Sequence, residues 1–150
     1  SAIFFILFVF LHLFKHLLML TNSILLIDVD PVEFDMLCDA LTHVDKSIGC
    51  VQAFNCKEGF EKLGASAGLP KFIFLDLNMP PSSGKYCLEK LKKHPVYASV
   101  PVFIYTTSDR ETDKMETTKL GAQKYFIKPN SMSELKHLLS YVVSDEWRSN

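Results

Sequence analysis

FIFLDLNMPPSSG, Phe72 to Gly84, is the stretch on which the fold turns. Four apolar residues run straight into Asp76, and Asn78, Met79, Pro80, Pro81 and Gly84 then break regular structure. A short apolar run closed by turn residues reads as a strand buried on both faces. Such a strand holds Asp76 at its carboxyl end, where open α/β sheets place their ligands. The same pattern recurs three times. ILLI runs into Asp28, VFIY into Thr106 and YFI into Lys128. In a parallel sheet, two carboxylates, a hydroxyl and an ammonium emerge on one edge and converge there.

Working outward from Ile24, strand and helix patterns alternate. Pro31 at a first helical position, after Asp30 as N-cap, starts a helix that buries Phe34, Leu37, Cys38 and Leu41 at i, i+3, i+4, i+7 spacing. A less regular strand spans residues 48–54. Asn55-x-x-Glu58 then opens a helix burying Phe60 and Leu63, which fades into the turn at residues 64–68. Residues 84–94 form the next helix, with Cys87, Leu88 and Leu91 inward. Ser108-x-x-Glu111 caps another, whose clear apolar anchors are only Met115 and Leu120 and which Gly121 ends. A helix so poor in apolar anchors suits a face that moves or docks. Ser131-x-x-Glu134 opens the last helix, with Leu135, Leu138, Leu139, Val142 and Val143 as a stripe. Five strands alternating with five helices predict a doubly wound, flavodoxin-like parallel sheet of order 2-1-3-4-5. In that order Asp28 and Asp76 face each other across one crevice.

A chain of 150 residues makes one domain the expectation, with enough length for a real core. The formal net charge of −1, with acids and bases nearly balanced, gives no nucleic-acid surface. Cys38, Cys50, Cys56 and Cys87 show no CxxC spacing and read as reduced thiols in a cytosolic protein. None of the five histidines has ligand spacing on a shared carboxylate.

The anomaly is AIFFILFVFLHLFKHLLML, residues 2–20. Its length as a helix approaches a bilayer's hydrocarbon thickness, and His12, Lys15 and His16 form one narrow polar stripe on it. The absence of a basic n-region and of a small-residue cleavage motif argues against a secretory signal. Three readings fit the segment. It anchors the domain to a membrane with Lys15 and His16 toward the cytoplasm, it packs on another copy or on the domain, or it is sequence upstream of a natural start at Met19. The upstream start is the preferred account of its origin and self-packing of its fate. The division expected is therefore 1–22 as an apolar helical segment and 23–150 as the folded domain.

LDLNMP around Asp76, the Thr106-Thr107-Ser108 step and the Phe126-Ile127-Lys128-Pro129 ending together resemble the receiver domain of two-component response regulators. The likeness is nearest to the single-domain, phytochrome-associated type and covers Ser23 to about Asp145. It implies that Asp76 is the phosphoacceptor, that Asn78 lends a backbone carbonyl to Mg²⁺ beside Asp28 and Asp76, and that Thr106 and Lys128 contact the phosphoryl group. It also implies Tyr125 as an aromatic switch, a sensor histidine kinase or phosphotransfer protein as donor, and a downstream protein target. Such a domain is a phosphoacceptor catalysing only its own transfer and hydrolysis, not an enzyme acting on others.

The chemistry is coherent, because two neighbouring carboxylates repel unless one is protonated or a hard cation sits between them. One position departs from the pattern. Receivers usually carry two adjacent acids after their first strand, and here the second is Val29. That departure weakens the expected Mg²⁺ site and supports an alternative, a degenerate receiver acting as a phosphorylation-independent binding module. A less favoured reading takes Asp28-Val29-Asp30 as the Asp-x-Asp of haloacid-dehalogenase-type phosphatases, with Asp28 as nucleophile and Asp30 as general acid. It leaves LDLNMPPSSG unexplained and lacks the later acidic pair on a strand.

Overall fold

The structure is a computed structural model that describes residues 1–18 and 20–149, and it describes the side chains of 14–18 no further than their helical backbone. The expected start at Met19 and the stripe through Lys15 and His16 lie outside the described residues. Five strands, β1 (Ser23–Ile27), β2 (Gly49–Ala53), β3 (Phe72–Leu75), β4 (Val102–Thr106) and β5 (Lys124–Ile127), form one sheet of order β2-β1-β3-β4-β5. Every pairing is parallel. The flavodoxin-like expectation is met.

Among the described residues six α-helices accompany the sheet: α1 (Ala2–Leu18), α2 (Pro31–Val44), α3 (Cys56–Ala65), α4 (Gly84–Lys93), α5 (Glu111–Lys119) and α6 (Met132–Val143). Alternation along the strands sorts side chains into two cores. Ile24, Leu26, Phe72, Phe74, Phe103 and Tyr105 pack against α2 and α6, including Leu37, Leu41, Leu135 and Leu139. Leu25, Ile27, Ile73, Leu75, Val102 and Ile104 pack against α3 and α4, including Leu63, Leu88 and Leu91. Covering on both faces is why β1, β3 and β4 read as unbroken apolar runs.

Most helix starts follow the expected caps. Asp30, Asn55 and Ser131 accept from the backbone N–H of Val32, Glu58 and Glu134. α5 departs from expectation in two ways. Its N-cap is Arg110 with no capping side chain, because the Ser108 hydroxyl donates to Asp113 instead. Met115, expected as an anchor, is 58% exposed, and the buried residues of α5 are Asp113 and Thr117. Polar contacts hold the helix where apolar ones were expected.

The cysteine expectation also changes. Cys56 opens α3, Cys87 lies on α4, and both point into the same core, where they form a disulfide with Cα atoms 5.6 Å apart. Cys38 and Cys50 are free, half-buried and in contact with each other. Leu20, read from sequence as part of the apolar segment, is buried in the α3–α4 core. Beyond α6, a 3-10 turn at Glu146–Ser149 folds back, so that Trp147 packs on Phe72 and Phe103 and donates from Nε1 to the Val142 carbonyl at 2.9 Å.

α1 differs from the rest. Every residue from Ile3 to Leu11 is exposed, so the bare apolar surface runs around the whole helix. Among the described residues no helix is long and apolar enough to cross a membrane.

Candidate functional site

The sheet register sets the site. The Asp76 N–H donates to the Ile27 carbonyl at 3.0 Å, which lays Asp76 beside the end of β1. The Lys128 N–H donates to the Thr106 carbonyl at 2.8 Å, which does the same for β5 and β4. All four strand-end residues singled out from sequence therefore meet at the carboxyl edge. Asp28 and Thr106 are fully buried, and Asp76 is 5% exposed.

Lys128 ties the group together. Its Nζ lies 2.7 Å from Asp28 Oδ2 and 3.7 Å from Asp76 Oδ2, and it stands over the Tyr105 ring. The other Asp28 oxygen accepts from the Asp30 N–H at 3.0 Å. Asp28 Oδ2 is buried and receives no well-aligned hydrogen bond besides that ion pair. Asp76 Oδ1 accepts from the Asn78 N–H at 3.3 Å, and Thr106 Oγ1 accepts from the Ser108 N–H at 3.4 Å.

Burial pushes the Asp28 carboxyl above its ordinary range, and the Lys128 ammonium only partly offsets this. For Lys128, burial pulls downward. The hydrogen bond to Asp28 and the charge of Asp76 outweigh it and hold the ammonium above its ordinary range. The Lys128 amine therefore stands against both carboxyl groups. Glu33, in the first turn of α2, adds a further partly buried carboxyl, raised by burial.

Several supporting residues escaped the sequence reading. Gln52 Nε2 donates to the carbonyls of Asp28 at 3.0 Å and Asp30 at 3.2 Å, fixing the loop after β1. A polar residue inside an otherwise apolar strand was the available signal. Gly84 reads from sequence as a turn residue and helix start, with no sign of its contact with Asp76. A Cβ there would sit 2.1 Å from the Asp76 carbonyl oxygen, so glycine alone lets α4 start against the Asp76 backbone. Tyr125 is partly buried, and its hydroxyl donates to the Ser108 carbonyl at 2.7 Å. Val29, where the resemblance calls for a second acid, is 50% exposed at the site's edge.

Residues 24–140 match the model of the response regulator receiver domain. The chain belongs to that family. Among curated relatives of this receiver, the response regulator Rcp1 of Synechocystis sp. is 31% identical over 75 residues, covering 50% of this chain and 51% of Rcp1. Protein PilH of Pseudomonas aeruginosa is 29% identical over 121 residues, 81% of this chain and 97% of PilH. The chain thus spans about half of Rcp1 and nearly all of PilH. A crystal structure of the Mn(2+)-bound form of Rcp1 superposes with a TM-score of 0.71 at 22% identity, covering 82% of this chain and 92% of that one. The phosphorylated cyanobacterial phytochrome response regulator RcpA gives 0.74 at 24% identity, covering 85% and 94%. These likenesses show the receiver fold. The phosphatase alternative also loses its general acid, since the Asp30 carboxylate is the N-cap of α2.

Proposed function

We propose that this receiver accepts a phosphoryl group on Asp76 from a sensor histidine kinase or a phosphotransfer protein. The observation that carries the reading is Lys128 Nζ set between Asp28 and Asp76, at 2.7 and 3.7 Å, on the edge where Thr106 also ends. An Asp76 carboxylate oxygen would bond to phosphorus while the bond to the donor's nitrogen breaks; the electron pair of that bond stays on the nitrogen, and the ring, protonated by solvent on its other nitrogen, departs as neutral imidazole. Lys128 and the Thr106 hydroxyl would hold the equatorial oxygens. The chain acts on itself and turns over no separate substrate.

Mg²⁺ fits the donor set. Two carboxylates and the Asn78 carbonyl leave several positions to water, as this cation prefers, and the buried, poorly bonded Asp28 Oδ2 lacks a full complement of partners. When bound, the cation would neutralise charge on the transferring group. Val29 stands where the resemblance calls for a second acid beside Asp28. Val29→Asp should therefore tighten Mg²⁺ binding. A carboxylate about 4 Å from a divalent cation is worth about 2 kcal/mol even in water, roughly tenfold or more in affinity. Calorimetric titration of both proteins checks this, and equal affinities would mean another group already serves.

Tyr125 is read as the switch. Charge added on Asp76 would draw in Thr106, and the Tyr125–Ser108 hydrogen bond would carry that shift to the face of α5 and β5, where a downstream protein docks. We place the receiver in the cytoplasm beside its kinase, with no nucleic-acid partner. The segment expected as residues 1–22 divides at Leu20, which belongs to the receiver's core; α1 before it self-associates as a homodimer, with membrane contact as the competing outcome. Exposed Val29 favours a second reading, a phosphorylation-independent binding module. Incubation with a small acyl phosphate and Mg²⁺, followed by intact mass, separates the two: a single phosphoryl adduct supports transfer, and none supports the module.

A further inference from the structure

The helices that follow β3 and β4, α4 and α5, are joined by a polar cluster that the phosphoacceptor reading does not use. Asp113, 6% exposed, is its centre. Its Oδ1 lies 2.7 Å from Lys85 Nζ and 3.2 Å from Arg110 Nη2, and its Oδ2 accepts from the Ser108 hydroxyl at 2.5 Å. Lys85 also pairs with Glu116 at 2.5 Å. The Lys85 ammonium, and then the Ser108 hydroxyl, hold the Asp113 carboxyl below its ordinary range. So α5, which lacks a buried apolar residue of its own, is fastened by an ion pair to α4.

Both ends of this fastening lead to the site. Lys85 follows Gly84, whose Cα is pressed against the Asp76 backbone. Ser108 lies two residues beyond Thr106, its N–H donates to Thr106 Oγ1, and its carbonyl receives the Tyr125 hydroxyl. The Ser108 side chain is therefore held by Asp113 and its main chain by Tyr125. We propose that Lys85 and Asp113 are positioning residues, which hold Ser108 so that the Thr106 hydroxyl is set for the phosphoryl group before it arrives. The pair acts through Ser108 and touches neither Asp76 nor the phosphorus. Preorganisation of this kind matters because a displacement of about 1 Å in a positioning group can slow a reaction by about a hundredfold.

The proposal rests on Asp76 being the phosphoacceptor, and its test separates the two ideas. Phosphorylation rate with a small acyl phosphate and Mg²⁺, and amide ¹H–¹⁵N shifts of Thr106 to Arg110 in the unphosphorylated protein, are measured for Lys85→Gln, Lys85→Arg, Asp113→Asn and the Gln/Asn double variant. Each single loss should slow phosphorylation by about tenfold and move the Thr106 and Ser108 amides, leaving those of β1 and β2 in place. Lys85→Arg should restore both readouts. The double variant should be no slower than the slower single one, because the Lys85–Asp113 ion pair is already lost in each. Unmoved Ser108 and Thr106 amides, a rate that is unchanged or faster, or additive losses would overturn the proposal. If the wild-type chain takes no phosphoryl group, the proposed function fails by itself, and the amide shifts still decide whether the pair positions Ser108 and Thr106.

Discussion

Asp76→Asn should abolish the phosphoryl adduct altogether while leaving the protein folded. The side chain is buried at the end of β3, where an amide of the same shape fits without rearrangement. The amide nitrogen is no nucleophile, so no partial activity is expected. Removing the charge leaves Lys128 paired with Asp28 and removes a like-charge contact, so the melting temperature should hold or rise. Asp28→Asn should act differently. Asp28 holds the cation side of the site, and its loss should slow transfer without ending it. Intact mass and peptide mapping after treatment with the small acyl phosphate distinguish the outcomes. An adduct on Asp28 would sink the receiver reading of the site and revive the phosphatase one.

Deleting residues 1–18 should give the second large effect. α1 is 17 residues long, about 26 Å, with ten large apolar side chains from Ile3 to Leu13 exposed. At about 25 cal/mol per Å², half-burial of ten such side chains is worth on the order of 10 kcal/mol. Surface of that kind is covered by something in solution. Leu20 is already locked in the α3–α4 core, so a cut before it spares the receiver's packing. We expect the shortened chain to fold, to accept phosphate on Asp76 as before, and to elute as a smaller species by light scattering. An unchanged oligomeric state, or an unfolded product, would show that α1 belongs to the receiver. Loss of lipid binding in place of a loss of oligomerisation would make the membrane its partner.

The legibility of this chain follows its burial. β1, β3 and β4 lie deep in the sheet, so the runs at 24–27, 72–75 and 102–105 are apolar or aromatic without interruption and the first polar group after each marks its end. Those ends are Asp28, Asp76 and Thr106, so the deepest strands also announced the site. β5 is only partly buried, yet Lys128 was legible through the resemblance of its Phe-Ile-Lys-Pro ending. What stayed hidden depends on side chains meeting across the fold. Ser108 and Glu111 have capping spacing, and nothing local says that the hydroxyl turns to Asp113 instead. Met115 looked like an anchor because it is the apolar residue of α5, but Asp113 took the buried position once Lys85 stood opposite. The Cys56–Cys87 contact spans 31 residues with no motif, and only the packing of α3 beside α4 brings the two together.

Trp147 has a practical consequence. It is the sole tryptophan of the chain, and it lies in the α2–α6 core against Phe72 and Phe103 near the starts of β3 and β4, whereas Asp76 follows β3 and Thr106 ends β4. Indole emission from this protein therefore monitors whether that layer is intact. It makes a clean optical gauge of unfolding for every variant above, since chemistry at the opposite edge of the sheet leaves its surroundings alone.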